Sequence, residues 1–363
     1  MAALDKLTSL HWDPVAMRVR VIDQTELPHR LQWQTLDTLQ SFCHAINSMQ
    51  VRGAPLIGIT AAFGLALELA RDASDENLEA ASAALLQTRP TAVNLRWALR
   101  QVSRAVVGLA PGERAAAALA RAIALRQQDI EHCGRIGEHG LQLLRGLPRD
   151  GALNIMTHCN AGWLATIEWG TALAPVYQAQ QAGLPVHVWV SETRPRNQGA
   201  SLTAWELQRA GVPCTLVADN SCGQLLRSGA VDCVLVGSDR TAANGDVCNK
   251  VGTYLKALAA HASGVPFYVA LPASTVDWSC AHGDLIPIEE RCGDELLTIS
   301  GVDSELRQGT LRLAPAGCRA ANPAFDITPA SLVSALVTEQ GVYEASERGL
   351  ADLRRQIDSS GPM

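Results

Sequence analysis

The chain carries ten cysteines but no C-x-x-C pair. The cysteines are scattered, and the opening "MAALDKLTSLHWD" holds Asp5 and Lys6 without an apolar core, so it does not read as a secretion signal. This pattern reads as reduced thiols in a cytoplasmic protein, and it argues against a structural zinc site. No long basic run occurs among 30 basic and 36 acidic residues, which give a net charge of −6. That argues against an extended nucleic-acid surface and leaves room only for a local basic pocket suited to a small anion. No segment reads as a membrane span: the most apolar stretch, "APLIGITAAFGLALELA", is short and is interrupted by Glu68. Also missing are G-x-G-x-x-G after a strand, G-x-x-x-x-G-K-[ST], G-x-S-x-G and H-E-x-x-H. Their absence weakens dinucleotide, P-loop, serine-hydrolase and zinc-protease readings.

What is present suits a packed enzyme-sized fold. The 363 residues are 47% apolar and 18% charged, enough for a real core in one large or two ordinary domains. Residues 18–34 read as two strands around a Pro-containing turn. From about 36 to 146 the spacing becomes helical, and "PGER" at 111–114 marks the start of a long helix with Pro and an acid in its first turn. "GLPRDGA" at 146–152 is a break. Beyond it five short apolar strands, "ALNIMTH", "PVHVWVS", "PCTLVAD", "DCVLVGS" and "PFYVALP", alternate with helix-like segments. Alternating strand and helix implies a parallel sheet covered on both faces. The expected class is therefore α/β. Residues 1–148 form a mostly helical N-terminal domain with an initial β-hairpin, and 149–363 form a Rossmann-like catalytic domain. The tail "RRQIDSSGPM" is expected to fray.

Open parallel sheets bind ligands beyond the carboxyl ends of their strands, so residues just past those ends are the candidates. Cys159 follows "LNIMTH", Glu192 and Arg194 follow "VHVWVS", Asp219 and Asn220 follow "CTLVA", and Asp239 follows "DCVLVGS". Cys159 in "THCNAGW" is either a nucleophile, acid or base, or a small residue filling a tight turn. Asp239 is either a general acid or base, or a helix cap or partner of Arg240. As an acid it would need desolvation to keep its proton, and the apolar strand before it supplies a wall. A polar, Gly-containing loop with Asn249 and Lys250 follows. "SETRPRNQGA" can hold an anion or sugar hydroxyls, or be a solvated loop in which Glu192 pairs with Arg194. "VRGAPLIG" puts Arg52 and Gly53 before an apolar helix, either a phosphate site or a cap with a surface arginine. Arg89 in "TRP" lies between helices.

Taken together, "MQVRGAPLIG", "TRPTAVNL", "THCNAG", "SETRPRNQGASLTAWEL", "GSDRTAANGDVCNKVGTY" and "NPAFDITP" resemble, in order and spacing, the methylthioribose-1-phosphate isomerases of methionine salvage. These belong to a superfamily shared with regulatory subunits of a translation-initiation exchange factor and with ribose-1,5-bisphosphate isomerases. The resemblance runs from about 15 to 343. It implies an aldose–ketose isomerase that turns 5-methylthioribose 1-phosphate into 5-methylthioribulose 1-phosphate, with no metal or organic cofactor, as a cytoplasmic homodimer. It implies Cys159 and Asp239 as catalytic residues, and substrate contacts from Arg52, Gly53, Ala54, Arg89, Gln198, Asn249 and Lys250. Two rivals share the fold: a ribose-1,5-bisphosphate isomerase, and a non-catalytic regulatory subunit, which would not need Cys159 and Asp239 together.

Overall fold

In the computed structural model, which describes residues 8–148 and 150–359, the chain enters through three antiparallel strands, β1 (Leu10–Asp13), β2 (Arg18–Ile22) and β3 (Trp33–Leu36). The expected pair, β2 and β3, runs in register from Val19↔Leu36 to Ile22↔Trp33 with Pro28 in the connection; β1 was not foreseen. The first seven residues of the opening segment, Arg149 in the break and the last four residues of the tail lie outside the described residues.

Five helices follow: α1 (Leu39–Asn47), α2 (Ala54–Leu69), α3 (Asp75–Thr88), α4 (Val93–Val106) and α5 (Pro111–Gly146). α1 starts at Thr38, whose hydroxyl accepts the Ser41 N–H at 3.1 Å, and α3 starts at Ser74, capped in the same way. α2 is apolar on every side because every side is covered: Phe63, Leu65 and Leu69 are fully buried among α1, α4 and α5. That explains its hydropathy without a membrane, and among the described residues no helix is long and apolar enough to cross one. Gly58 permits the close packing, since a Cβ there would lie 2.7 Å from the Asn94 carbonyl oxygen on α4. The last turns of α5, with Ile136, Leu141 and Leu144, leave this core and pack on the sheet that follows.

Beyond the break the order is β4 (Leu153–Thr157), α6 (Ala174–Gln181), β5 (Val186–Ser191), α7 (Ala204–Arg209), β6 (Cys214–Val217), α8 (Cys222–Arg227) and β7 (Cys233–Val236). Then come β8 (Arg240–Ala242), β9 (Val247–Lys250), α9 (Thr253–Ala262), β10 (Phe267–Ala270), β11 (Val276–Asp277), α10 (Asp294–Leu297), β12 (Thr298–Val302), β13 (Gln308–Arg312), β14 (Phe325–Thr328), β15 (Ala335–Thr338), β16 (Gly341–Tyr343) and α11 (Glu347–Ser359). The main sheet has the order β16-β15-β10-β7-β4-β5-β6, parallel except for the β15–β16 pair. The five strands read from the sequence are consecutive in it. The chain runs outward from β4 through β5 to β6, then returns to place β7 on the other side of β4, so the order reverses between β4 and β7. A crevice at the carboxyl ends of those two strands is where such sheets bind ligands.

Two expectations are corrected. The stretch after Asp239 is not a loop but the β8–β9 hairpin. Thr241 pairs with Val247 around an Asn244-Gly245 turn, and Gly245 has φ +93°. β9 also pairs with β14, and β8 with β11, making a second, four-stranded sheet beside the main one. The tail does not fray at Arg354: α11 continues to Ser359, held by the buried Leu350 and Leu353 against the sheet core.

Candidate active site

β4 delivers His158 and Cys159 to the crevice. Cys159 has φ +62°, a left-handed conformation that side chains seldom adopt, so its surroundings must hold it there. They do so from two sides: Thr193 Oγ1 accepts the Cys159 N–H at 2.8 Å, and the Thr203 hydroxyl donates to the Cys159 carbonyl at 2.6 Å. Thr193 is fixed in turn by Asp219, which accepts its N–H at 2.8 Å and that of Arg194 at 2.7 Å. Ser191 Oγ also donates to Asp219. Asp219, at the end of β6, thus ties three strand ends together. His158 lies beneath, fully buried, and its Nε2–H donates to the Val251 carbonyl at 2.8 Å. Burial, with Lys256 adding, lowers its pKa to about 3, so it stays neutral.

The thiol of Cys159 points at Gln198, with Sγ 3.3 Å from Oε1. Burial raises the thiol's pKa; Arg52 and Lys250 pull it down, and Asp239 adds to the rise. Cys159 is therefore a neutral thiol in the resting protein.

Asp239 follows the β7 strand end and begins the hairpin, its N–H donating to the Cys248 carbonyl at 3.0 Å. It is neither a helix cap nor the partner of Arg240, which pairs with Asp277 instead. Among the described residues its carboxylate has no hydrogen bond and no ion pair. Enclosure raises its pKa, and the cations Arg52, Arg89 and Lys250 oppose the rise. A part-exposed carboxyl lining the cleft, with its pKa raised, is suited to giving up a proton there.

The hairpin's second strand brings Asn249 and Lys250. Asn249 Nδ2 donates to Thr253 Oγ1 at 3.0 Å. Lys250 is 6% exposed, its ammonium has no hydrogen-bond or ion-pair partner among the described residues, and burial lowers its pKa. A nearly buried ammonium without a fixed partner is costly unless an anion visits it. Across the cleft, Arg52 precedes α2. Gly53 there has φ +94°, and a Cβ would fall 2.5 Å from the Ala165 Cα, so only glycine brings the chain this close.

Arg52, Gly53, Ala54, Arg89, Cys159, Gln198, Asp239, Asn249 and Lys250 all line one cleft. Arg194 is not part of it. Its guanidinium donates to the Leu296 carbonyl at 3.0 Å and pins α10, and among the described residues no Glu192–Arg194 pair exists. Sequence reasoning missed the acids that pair with the remaining cations. Arg89 lies 3.3 Å from Glu289, Arg291 lies 2.9 Å from Glu289 and 2.8 Å from Glu295, and Arg196 lies 2.9 Å from Glu295. It also missed the buried Asn160 and Glu206. One signal for Glu206 was available: it stands four residues after Leu202 in "SLTAWEL", where the helical period calls for an apolar side chain.

Comparison with known proteins bears on this geometry. The model of the Initiation factor 2 subunit family matches residues 50–345. The methylthioribose-1-phosphate isomerase of Dechloromonas aromatica is 58% identical over 347 residues, covering 95% of this chain and 96% of that one. The crystal structure of 5-methylthioribose 1-phosphate isomerase from Pyrococcus horikoshii OT3 superposes with a TM-score of 0.84 at 35% identity, covering 98% and 97% of the two chains. The translation initiation factor eIF-2B, subunit delta, from A. fulgidus superposes with a TM-score of 0.76 at 37% identity, covering 93% and 96%.

Proposed function

We infer, for a chain that belongs to the Initiation factor 2 subunit family and, within it, to the methylthioribose-1-phosphate isomerases, that it is the aldose–ketose isomerase converting 5-methylthioribose 1-phosphate to 5-methylthioribulose 1-phosphate in methionine salvage. The observation that carries the chemistry is the meeting of Cys159 and Asp239, from the ends of β4 and β7, in one cleft with Arg52 and Lys250. A subunit that only bound a ligand would need neither the thiol nor the acid.

The substrate's anomeric hydroxyl is esterified, so its furanose cannot open as a free sugar does. As the bond between C1 and the ring oxygen breaks, Asp239 gives its proton to that oxygen. Hydrogen then passes from C2 to C1, and the C2 hydroxyl becomes the ketone by giving up its proton, which returns the Asp239 carboxylate to its acid form. Cys159 is placed as the group that manages that hydrogen. Run in deuterated water, the reaction puts solvent deuterium at C1 if Cys159 exchanges and relays a proton, and leaves C1 unlabelled if the hydrogen moves as hydride. Arg52, Lys250 and the N–H groups at the start of α2 hold the phosphate and fix C1 and C2 against the two groups.

Charge balance argues for a single phosphate. Of the six Arg and Lys side chains lining the cleft among the described residues, Arg89, Arg196, Arg240 and Arg291 pair with Glu289, Glu295 and Asp277, and Arg52 and Lys250 have no acid partner among those residues. Arg52 and Lys250 together match one dianionic phosphate, whereas Arg89, Arg196 and Arg291 share two acids and keep one positive charge between them. A second phosphate, as in ribose 1,5-bisphosphate, would have only that one net charge to meet, in a cleft also lined by Ile286, Pro287 and Phe325. Assayed side by side, the methylthio substrate should therefore exceed the bisphosphate in kcat/KM by roughly a hundredfold or more. The reverse preference would assign the bisphosphate, and tight binding of both without turnover would assign a regulatory subunit.

The same reading places the enzyme in the cytoplasm, in keeping with ten unpaired cysteines, as a homodimer of chains divided near residue 148 into a helical and a Rossmann-like unit. Sedimentation equilibrium tests the dimer, and limited proteolysis between Gly146 and Leu153 tests the division.

A further inference from the structure

Arg52 meets the phosphate on the reading above, yet what holds Arg52 lies outside the cleft's chemistry. Both of its terminal nitrogens donate to one residue. Nη1 donates to Asn160 Oδ1, and Nη2 to the Asn160 carbonyl oxygen at 2.7 Å. No carboxylate lies within ion-pair distance of Arg52 among the described residues. The nearest anion in the bonded chain is one step further on: Asn160 Nδ2 donates to Glu206 Oε1 at 2.9 Å and to Thr203 Oγ1 at 3.1 Å. Glu206 is fully buried and accepts three more hydrogen bonds at 2.9 Å, from the Trp163 and Leu164 N–H groups and the Tyr177 hydroxyl.

We propose that Asn160 and Glu206 are positioning residues for the anionic end of the substrate, with Glu206, through Asn160, setting the orientation in which Arg52 presents its remaining N–H bonds to the cleft. This rests on the isomerase reading only in taking a phosphate as the anion that Arg52 meets. Donors and acceptors fix the orientation. A primary amide can turn over and exchange its oxygen and nitrogen. Turned over, Asn160 would point N–H groups at the Arg52 guanidinium, which has only donors. Glu206 prevents this, because a carboxylate accepts and so keeps Nδ2 on its own side and Oδ1 toward Arg52. With two of its five N–H bonds committed to Asn160, the planar guanidinium cannot roll, and the other three keep a fixed direction.

Two further observations show that the chain is shaped around this carboxylate. At Gly162 a Cβ would sit 1.9 Å from Glu206 Oε2, so position 162 is glycine for room rather than for its backbone angles. A π-type turn, Gly199–Thr203, precedes α7 and sets one continuous helical segment so that Gln198, Thr203 and Glu206 all face the Cys159–Asn160 turn.

The test uses Glu206→Gln and Asn160→Ala, with Asn160→Ser as a milder third variant should either fail to fold, each checked by circular dichroism and melting temperature. A Gln at 206 no longer forces the amide, and Ala at 160 removes it. Both should raise KM, and the inhibition constant of inorganic phosphate, by about tenfold or more while kcat stays within about threefold. Removing the Glu206 charge would by itself strengthen anion binding, so weaker binding isolates the loss of orientation. A second arm is chemical rescue. Free guanidinium at a non-denaturing concentration should restore activity to Arg52→Ala, because the Asn160 cradle remains, but not to Arg52→Ala/Asn160→Ala. Lower melting temperature with unchanged KM and phosphate inhibition, tighter phosphate binding, or equal rescue in both backgrounds would overturn the proposal. If the unaltered enzyme fails to turn over the methylthio sugar phosphate, the functional reading falls, and direct titration with inorganic phosphate still decides the role of Asn160 and Glu206.

Discussion

Replacing Asp239 by Asn tests the acid and, through it, the electrostatic link to Cys159. The amide keeps the carboxyl's shape, and no hydrogen bond holds the carboxylate among the described residues, so the fold loses little. What disappears is a titratable proton in an enclosure that raises the group's pKa, against the pull of Arg52, Arg89 and Lys250. A positioned general acid is worth on the order of 10² to 10⁴ in rate, or about 3–5 kcal/mol of barrier. Turnover of the methylthio sugar phosphate should fall by that factor. KM should change little, because the phosphate anchors are untouched. The sign of the pH dependence follows from the raised pKa. The useful form of Asp239 is protonated, so activity declines as pH rises through its folded pKa, and that limb vanishes in the variant. A second readout is independent of catalysis. The Asp239 charge is one of the influences raising the Cys159 thiol, so its removal should lower that pKa and speed alkylation of Cys159 at a fixed, mildly alkaline pH. A folded Asp239→Asn enzyme with near-normal turnover would refute the assignment of the acid. Unchanged alkylation would refute the coupling between the two groups.

Other outcomes follow from the same geometry. Saturating product should slow alkylation of Cys159 specifically in mass-spectrometric mapping, while Cys233, enclosed in β7 with its thiol strongly raised, stays unreactive with or without ligand. Cys159→Ser should keep its fold and lose most activity, a hydroxyl being a far weaker acid than a thiol. Arg52→Ala and Lys250→Ala should each weaken product binding by about 2–5 kcal/mol in calorimetric titration. Asp129, buried on α5 and accepting the Ile167 N–H at 2.7 Å, has its pKa raised from 3.8 to about 7. The folded state then holds a proton that the unfolded state releases, so this group's contribution to stability is fully present below about pH 4 and is lost as pH rises through about 7. Asp129→Asn retains an acceptor for Ile167, and its melting temperature relative to the unaltered protein should climb between pH 5 and 8.

The sequence showed most clearly what obeys a period or a strand end. The five central strands could be read because each is a short apolar run closed by a turn, and parallel order follows from the helices between them. Asp239 and Cys159 stood out for the same reason. They are polar residues just past buried strands, and the reversal of order between β4 and β7 sets those two ends side by side. The strands that went unread have no such pattern. β13, "QGTLR", is exposed along its whole length, and β8 and β9 are three and four residues long, held by an Asn-Gly turn and by pairing with β14, which lies some 75 residues further along the chain. Pairing over that distance leaves no local trace.

The site divided along the same line. Residues that face the cleft sit in distinctive local settings: Arg52 before an apolar helix, Gln198 in a polar strand-end loop, Lys250 near the glycine that precedes α9. Residues that act behind those side chains do not. Arg52 reads as a free surface cation until Asn160, 108 positions later, is seen to take both of its terminal nitrogens, and Asn160 reads as a turn former until Glu206 is seen to fix its amide. Likewise Arg89, and Arg196 in the loop "SETRPRNQGA", read as free anion-binding candidates, and only the placement of Glu289 and Glu295 gives them acid partners. Net charge at the cleft is thus decided by acids that carry no motif. If charge sets the preference for one phosphate over two, Glu289 and Glu295 are the positions where a change would shift it. Glu295→Gln frees Arg196 and part of Arg291's pairing, and it should improve the kcat/KM for ribose 1,5-bisphosphate relative to the methylthio substrate by about tenfold, the usual scale of one relieved charge pair at a partly open site. An unchanged ratio in a folded Glu295→Gln enzyme would mean that the second phosphate is excluded by shape alone and that charge balance plays no part.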